Sequence, residues 1–184
     1  IIASLFHKSI YIPLLAYIIS LLYKKTKTYI LIWFLAIPLS LALGSFWEGF
    51  FANLNLFDSD RLEGYLDGDE EFQEQFSSLG FRWDFLVYSA TGVLSGWYFI
   101  IKKGFNDKYY KIFFNIYLIT NSFWILIIRA NFSNRFAYLS WFLLGLVISY
   151  PFAKEKFFNS QHRNLGIILL AYFAFTFLMN VILA

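Results

Sequence analysis

Apolar stretches of nearly membrane-crossing length recur along this chain, separated by short bursts of charge, and that spacing decides most of what the chain can fold into. A bilayer core is crossed by roughly 20 predominantly apolar residues in helical form. The stretches cover residues 9–23, 29–47, 83–101, 112–128, 136–152 and 165–184. Within lipid every backbone amide must be bonded inside its own segment, so these are predicted as helices rather than strands. The first is short for a crossing, which tilt or local bilayer thinning accommodates. Composition points the same way: 59% of the 184 residues are hydrophobic and only 15% are charged, unlike an ordinary soluble domain.

The expected fold is all-α, a polytopic integral membrane helix bundle of about six transmembrane helices. Residues 1–6 read as the end of one more helix. The chain opens on Ile1-Ile2 and shows no signal peptide, so it is expected to be the C-terminal portion of a longer protein. Residues 1–184 then form a single transmembrane domain, divided by no repeat or low-complexity linker. The chain has no cysteine, which removes disulfides and thiolate-bound metals. No basic array suits nucleic acid.

Orientation follows from the short loops, whose lysines and arginines favour the cytoplasm. Lys24, Lys25 and Lys27 form one basic loop, Lys102, Lys103, Lys108 and Lys111 a second, and Lys154, Lys156 and Arg163 a third. These loops alternate with the others, so all three can be cytoplasmic together. The long connection over residues 53–82 then faces outward, and its core, residues 58–74, sets eight acids against Arg61 alone. Nine of the ten lysines fall on the cytoplasmic side, Lys8 being the exception, and four of the five arginines, Arg61, Arg82, Arg129 and Arg135, fall outside.

Outward arginine works against the orientation bias and calls for a further reason. Its planar fork of donors suits two-point contact with phosphate or carboxylate. The sharpest feature is Arg129-Ala-Asn-Phe-Ser-Asn-Arg135, a short outer turn whose Arg129, Asn131, Asn134 and Arg135 make a polar cup for an anion. Against this stands simple snorkelling of arginine to lipid headgroups. Asp84, following Arg82 at a helix start, is a candidate base, an ion-pair partner for Arg82 or an ordinary cap. Asp58, Asp60, Arg61 and Tyr65 open the long loop, with carboxylates suited to sugar hydroxyls or a metal. His7 lies at the outer junction, where an imidazole can move a proton near neutral pH. His162 sits beside Arg163 and is read as a surface residue. Glu48 is a carboxylate at the outer membrane edge. Gly92 and Gly96 are read as a close helix-packing motif.

Three of these stretches resemble a known family. Ala3-Ser-Leu-Phe-His7-Lys-Ser9, Phe81-Arg82-Trp-Asp84-Phe and Arg129-Ala-Asn-Phe-Ser-Asn-Arg135-Phe-Ala-Tyr resemble, in order, motifs of the EpsG family of polysaccharide polymerases. The resemblance implies a Wzy-like membrane glycosyltransferase of the GT-C type, in the bacterial cytoplasmic membrane with its active face outward. Such proteins extend exopolysaccharide, capsule or O-antigen from oligosaccharide units carried on undecaprenyl pyrophosphate. It implies functional roles for His7, Arg82, Arg129 and Arg135, and a looser one for Asp84; the Asp58–Tyr65 stretch matches only loosely. No cofactor or metal is demanded, because arginines can meet the pyrophosphate charge. Lipid-linked oligosaccharide, membrane lipids and a chain-length regulator are the expected partners. Two other readings are a transporter of lipid-linked glycans and a non-catalytic scaffold for envelope polysaccharide assembly. Transporters commonly place charges or broken helices near the midplane, and these stretches are nearly free of charge within.

Overall fold

The computed structural model describes residues 10–53, 80–130, 133–178 and 181. Seven α-helices and no strand occur among them: α1 (Tyr11–Leu22), α2 (Thr26–Asn53), α3 (Trp83–Trp97), α4 (Lys108–Leu126), α5 (Ser133–Trp141), α6 (Leu144–Lys154) and α7 (Gln161–Phe177). Every apolar stretch predicted from the sequence contains a helix.

Central to the bundle is α4, which packs against α1, α2, α3, α5 and α6. Its cap is Asp107, whose side chain accepts the Tyr110 N–H at 2.8 Å. Large side chains from α4, among them Phe114, Tyr117, Leu118 and Trp124, are completely buried. Gly92 and Gly96 of α3 make room for them. A Cβ on Gly92 would stand 2.8 Å from the Tyr117 ring and 2.7 Å from Leu144 of α6, and one on Gly96 would collide with the Phe114 ring. The spacing of four residues puts both glycines on one helix face, and that face is where α3 approaches α4 and α6.

Hairpins at one end are tightly made. The Tyr29 hydroxyl donates to the Tyr23 carbonyl (2.7 Å) and to the Ile19 carbonyl (3.1 Å), closing the turn from α1 into α2. After α3 the chain widens into a π-helical turn, Tyr98–Lys102, then leaves through Gly104 at φ +69°, a left-handed conformation that glycine adopts without steric cost. Gln161 ties α7 back to α6, taking the Phe157 N–H at 2.8 Å and donating to the Phe152 carbonyl at 2.5 Å.

The side of the bundle is strongly apolar. Val87 is 66% exposed, Leu170 65% and Phe173 66%, and α7 buries no residue fully. Such a surface is costly in water and costs nothing against hydrocarbon tails. Three helical spans, Thr26–Gly44, Trp83–Lys102 and Arg135–Lys154, are long and apolar enough to cross a membrane. The sequence predicts six crossings, and α4 differs for a physical reason. It has the length, but Asn115, Thr120, Asn121 and Ser122 lower its hydropathy. Those side chains face protein, not lipid: all four are buried. The α1 helix, at 12 residues, is as short as its sequence suggests.

Asn121 is the centre of a buried polar knot. Its Oδ1 accepts the Trp33 indole N–H (2.7 Å), and its Nδ2 donates to the Ser89 hydroxyl (3.1 Å) and the Ser140 hydroxyl (2.9 Å). Trp141 donates to the same Ser89 hydroxyl at 2.8 Å. The bonds join α2, α3, α4 and α5, and they fix the register of four helices that apolar packing alone would let slide.

Candidate functional site

The two ends of this bundle differ in their cations. Lys24, Lys108 and Lys111 line one pocket where the end of α1 and the turn after it meet the start of α4. Lys102, Lys103 and Lys154 sit over aromatic rings at the same end, Lys103 lying 5.2 Å from the centre of Phe158 and Lys154 5.6 Å from that of Tyr150. Arg82, Arg129 and Arg135 belong to the opposite helix ends, at the start of α3, just after α4 and in the first turn of α5. The separation of lysine from arginine expected from loop order is thus built into the bundle.

Arg82 is held on two sides. Its Nε donates to Asp84 Oδ1 at 3.0 Å and its Nη2 to Oδ2 at 2.7 Å, a two-pronged ion pair. The guanidinium carbon stands 3.8 Å above the centre of the Phe85 ring. Local sequence produces this clamp. Gly80, at φ +105°, turns the chain, Arg82 takes the cap position, and Asp84 and Phe85 follow in the first helical turn. The Asp84 carboxylate also accepts from the backbone N–H groups of Asp84 and Phe85 in the first turn. Of the readings open to it from sequence, the ion-pair partner and the helix-start cap are both seen.

Asp84 and Trp83 also stand at one end of a groove of about 550 Å³ between α3 and α7, continued by Tyr88, Tyr172 and Phe175. The groove is apolar apart from a few hydroxyls, and the Tyr172 hydroxyl is bonded to Thr91 across it. Tyr88 and Phe175 stack at 5.5 Å, so α7 is attached to the bundle here chiefly through rings.

Arg129 takes its position from an irregularity in α2. That helix runs for 28 residues, contains Pro38, and breaks at Leu43 (φ −133°, ψ 34°). Proline removes a helical donor and crowds the turn before it, so Pro38 does not account for the break at Leu43, which falls after it. Arg129 Nη2 reaches the Leu41 carbonyl at 3.4 Å. Gly44 lies under the arginine stem, where an added Cβ would come within 3.2 Å of Cδ. Past α4 the chain unwinds in tight turns that bury Ile127, Ile128 and Ala130 and leave Arg129 exposed. Arg135 is also exposed, beside the buried Phe136 and Ala137. One connection therefore carries both arginines outward while its apolar neighbours anchor it.

The structure pairs Arg82 with Asp84 and seats Arg129 on the α2 break; the described contacts do not join these two arrangements to each other. His7, Asp58, Asp60, Arg61, Tyr65 and Asn131 lie outside the described residues, as do the side chains of Asn134 and Glu48. Sequence reasoning missed Gly44 and the Leu41 carbonyl as the seat of Arg129. It also missed the Asn121 knot, signalled by asparagines within the apolar stretch of α4.

Comparison with known proteins gives one result: the model of the EpsG family matches residues 1–184, the whole chain. No curated protein and no solved structure matches.

Proposed function

This chain belongs to the EpsG family, and from that premise we propose that it joins oligosaccharide repeat units carried on undecaprenyl pyrophosphate into a surface polysaccharide. It is a polysaccharide polymerase-like membrane protein; the lipid carrier, the direction it faces and the roles of its residues are our reading. The observation that carries the reading is that Arg82, Arg129 and Arg135 all stand at the helix ends opposite the lysines, Arg82 and Arg129 each held by a described contact. If the lysine end is cytoplasmic, as short basic loops favour, the arginines lie at the outer headgroup level, where a lipid pyrophosphate would sit. The membrane is then the bacterial cytoplasmic membrane.

In this mechanism an acceptor hydroxyl attacks the anomeric carbon of the donor sugar. The bond from that carbon to the pyrophosphate oxygen breaks, and the lipid pyrophosphate leaves with the electron pair. Arg129 and Arg135 hold its oxygens and stabilise the charge that develops there. Arg82, kept rigid by Asp84 and Phe85, offers its remaining donors to the same group or to a sugar. The hydroxyl proton passes to a base, for which His7 and the Asp58–Asp60 acids are the candidates, since both Asp84 oxygens are engaged with Arg82. Asn131, Asn134, Arg61 and Tyr65 contact the sugars. The apolar groove beside Asp84 would accept part of a polyprenyl tail.

Transport of the same lipid-linked glycan is distinguished by product. Purified protein in proteoliposomes, given lipid-linked repeat units, is expected to yield glycans growing by one repeat at a time. Glycans that cross the bilayer without lengthening would overturn the polymerase reading.

A further inference from the structure

At the lysine end, opposite the arginine end of α4, a pocket of about 340 Å³ opens where the α1–α2 turn meets the start of α4. Beside Leu21 and Ile112, its polar lining is Ser20, Lys24, Asn106, Lys108, Lys111 and Asn115. Three of these are cations, and no carboxylate among the described residues pairs with any of them. Asp107, next to Lys108 in the chain, uses its Oδ1 for the Tyr110 N–H and for the Tyr150 hydroxyl at 3.3 Å. Lys111 Nζ donates to Asn106 Oδ1 at 2.5 Å, a neutral acceptor that leaves the charge uncompensated.

Lys108 and Lys111 also stand in the first turn of α4, where the only acid is the cap, Asp107, which is engaged with Tyr110 and Tyr150. One capping carboxylate beside two lysines at the positive end of a helix dipole leaves net positive charge there. Asn115 supplies an independent observation. It follows Lys111 by four residues, on the same face of α4. It is 2% exposed, and its Oδ1 accepts no hydrogen bond. A buried acceptor without a donor lowers stability unless something brings a donor to it.

The lysines call for phosphate oxygens and Asn115 Oδ1 calls for a hydroxyl. We propose that this pocket binds a phosphate group bearing a neighbouring hydroxyl. Two sources share that chemistry: the headgroup of phosphatidylglycerol, present at the membrane surface where the pocket opens, and a soluble polyol phosphate. The site is separate from the arginine end, so its failure leaves the polymerase reading untouched.

Binding to the intact, delipidated protein in neutral detergent is measured by native mass spectrometry and by the shift in thermal-unfolding midpoint. The probes are phosphatidylglycerol, phosphatidylcholine and glycerol phosphate. Wild type is expected to bind one phosphatidylglycerol about tenfold or more tightly than phosphatidylcholine. Asn115→Leu, close in volume and without the unpaired acceptor, and the double variant Lys24→Gln/Lys111→Gln each remove that preference. Lys156→Gln, at the same end but outside the pocket, keeps it. Displacement of the lipid by glycerol phosphate supports the site and identifies the soluble group as sufficient; lipid binding without displacement supports it with the lipid headgroup as the source. Equal binding of both lipids, or loss in Lys156→Gln as large as in the pocket variants, overturns the proposal.

Discussion

Arg82 shows how a side chain that is costly to order is made rigid by its neighbours. Arginine carries about 2 kcal/mol of rotamer entropy, and here Asp84 and Phe85 hold it from two directions before any ligand arrives. Because the pair is partly exposed, at 26% and 35%, its value lies in orientation more than in stability. Asp84→Asn is therefore expected to leave the thermal-unfolding midpoint almost unchanged while lowering polymerisation on the order of tenfold, since a loosened donor stabilises charge less well. Arg82→Lys should match it. The check is a rate assay beside a melting curve on the same preparation. If Asp84 were instead the proton acceptor, Asp84→Asn would be far more damaging than Arg82→Lys, on the order of 10²–10⁴-fold in rate.

Helices α2, α3 and α4 carry most of the internal packing, and each shows a different relation between sequence and structure. The glycines of α3 were legible in advance, because a four-residue spacing of small residues has one common meaning. Gly96→Leu is expected to cost at least about 1–3 kcal/mol by overpacking, seen as a lower midpoint in detergent, because the Phe114 ring occupies the space a side chain would need. The break in α2 was less legible. The position of Leu43 and the use of Gly44 as a seat for Arg129 depend on what the chain presents just past α4. The asparagines of α4 were hidden for a similar reason. A polar residue in an apolar stretch reads alike whether it faces lipid, a cavity or a partner, and only the fold brings Trp33, Ser89 and Ser140 within reach of Asn121.

At the scale of the molecule, two sets of cations on opposite helix ends make an orientation claim that the chain is well suited to test. These 184 residues hold no cysteine, so a thiol introduced among them is read against the parent protein without it. Phe46→Cys, exposed beyond the α2 break, is expected to react with a membrane-impermeant maleimide added to intact cells. Lys156→Cys is expected to react only after the membrane is opened. The reverse pattern would place the arginines in the cytoplasm and remove the basis for an outward-facing donor site. The division of lysines from arginines between the two ends was readable from sequence because it rests on loop composition, which needs no tertiary information. The seat of Arg129 was not, because the Leu41 carbonyl and Gly44 that meet it come from another helix.

The account stands on forked arginines acting at a lipid pyrophosphate, and the most direct measurement sizes the glycans made by purified wild-type and Arg135→Lys protein from lipid-linked repeat units, at equal folded concentration. Wild type is expected to give a ladder spaced by one repeat unit. Arg135→Lys keeps the charge but loses the two-point contact, and is expected to shorten or slow the ladder on the order of tenfold or more. An unchanged ladder from Arg135→Lys would contradict the assigned role of the fork, and no ladder from folded wild-type protein with its own substrate would contradict the polymerase itself.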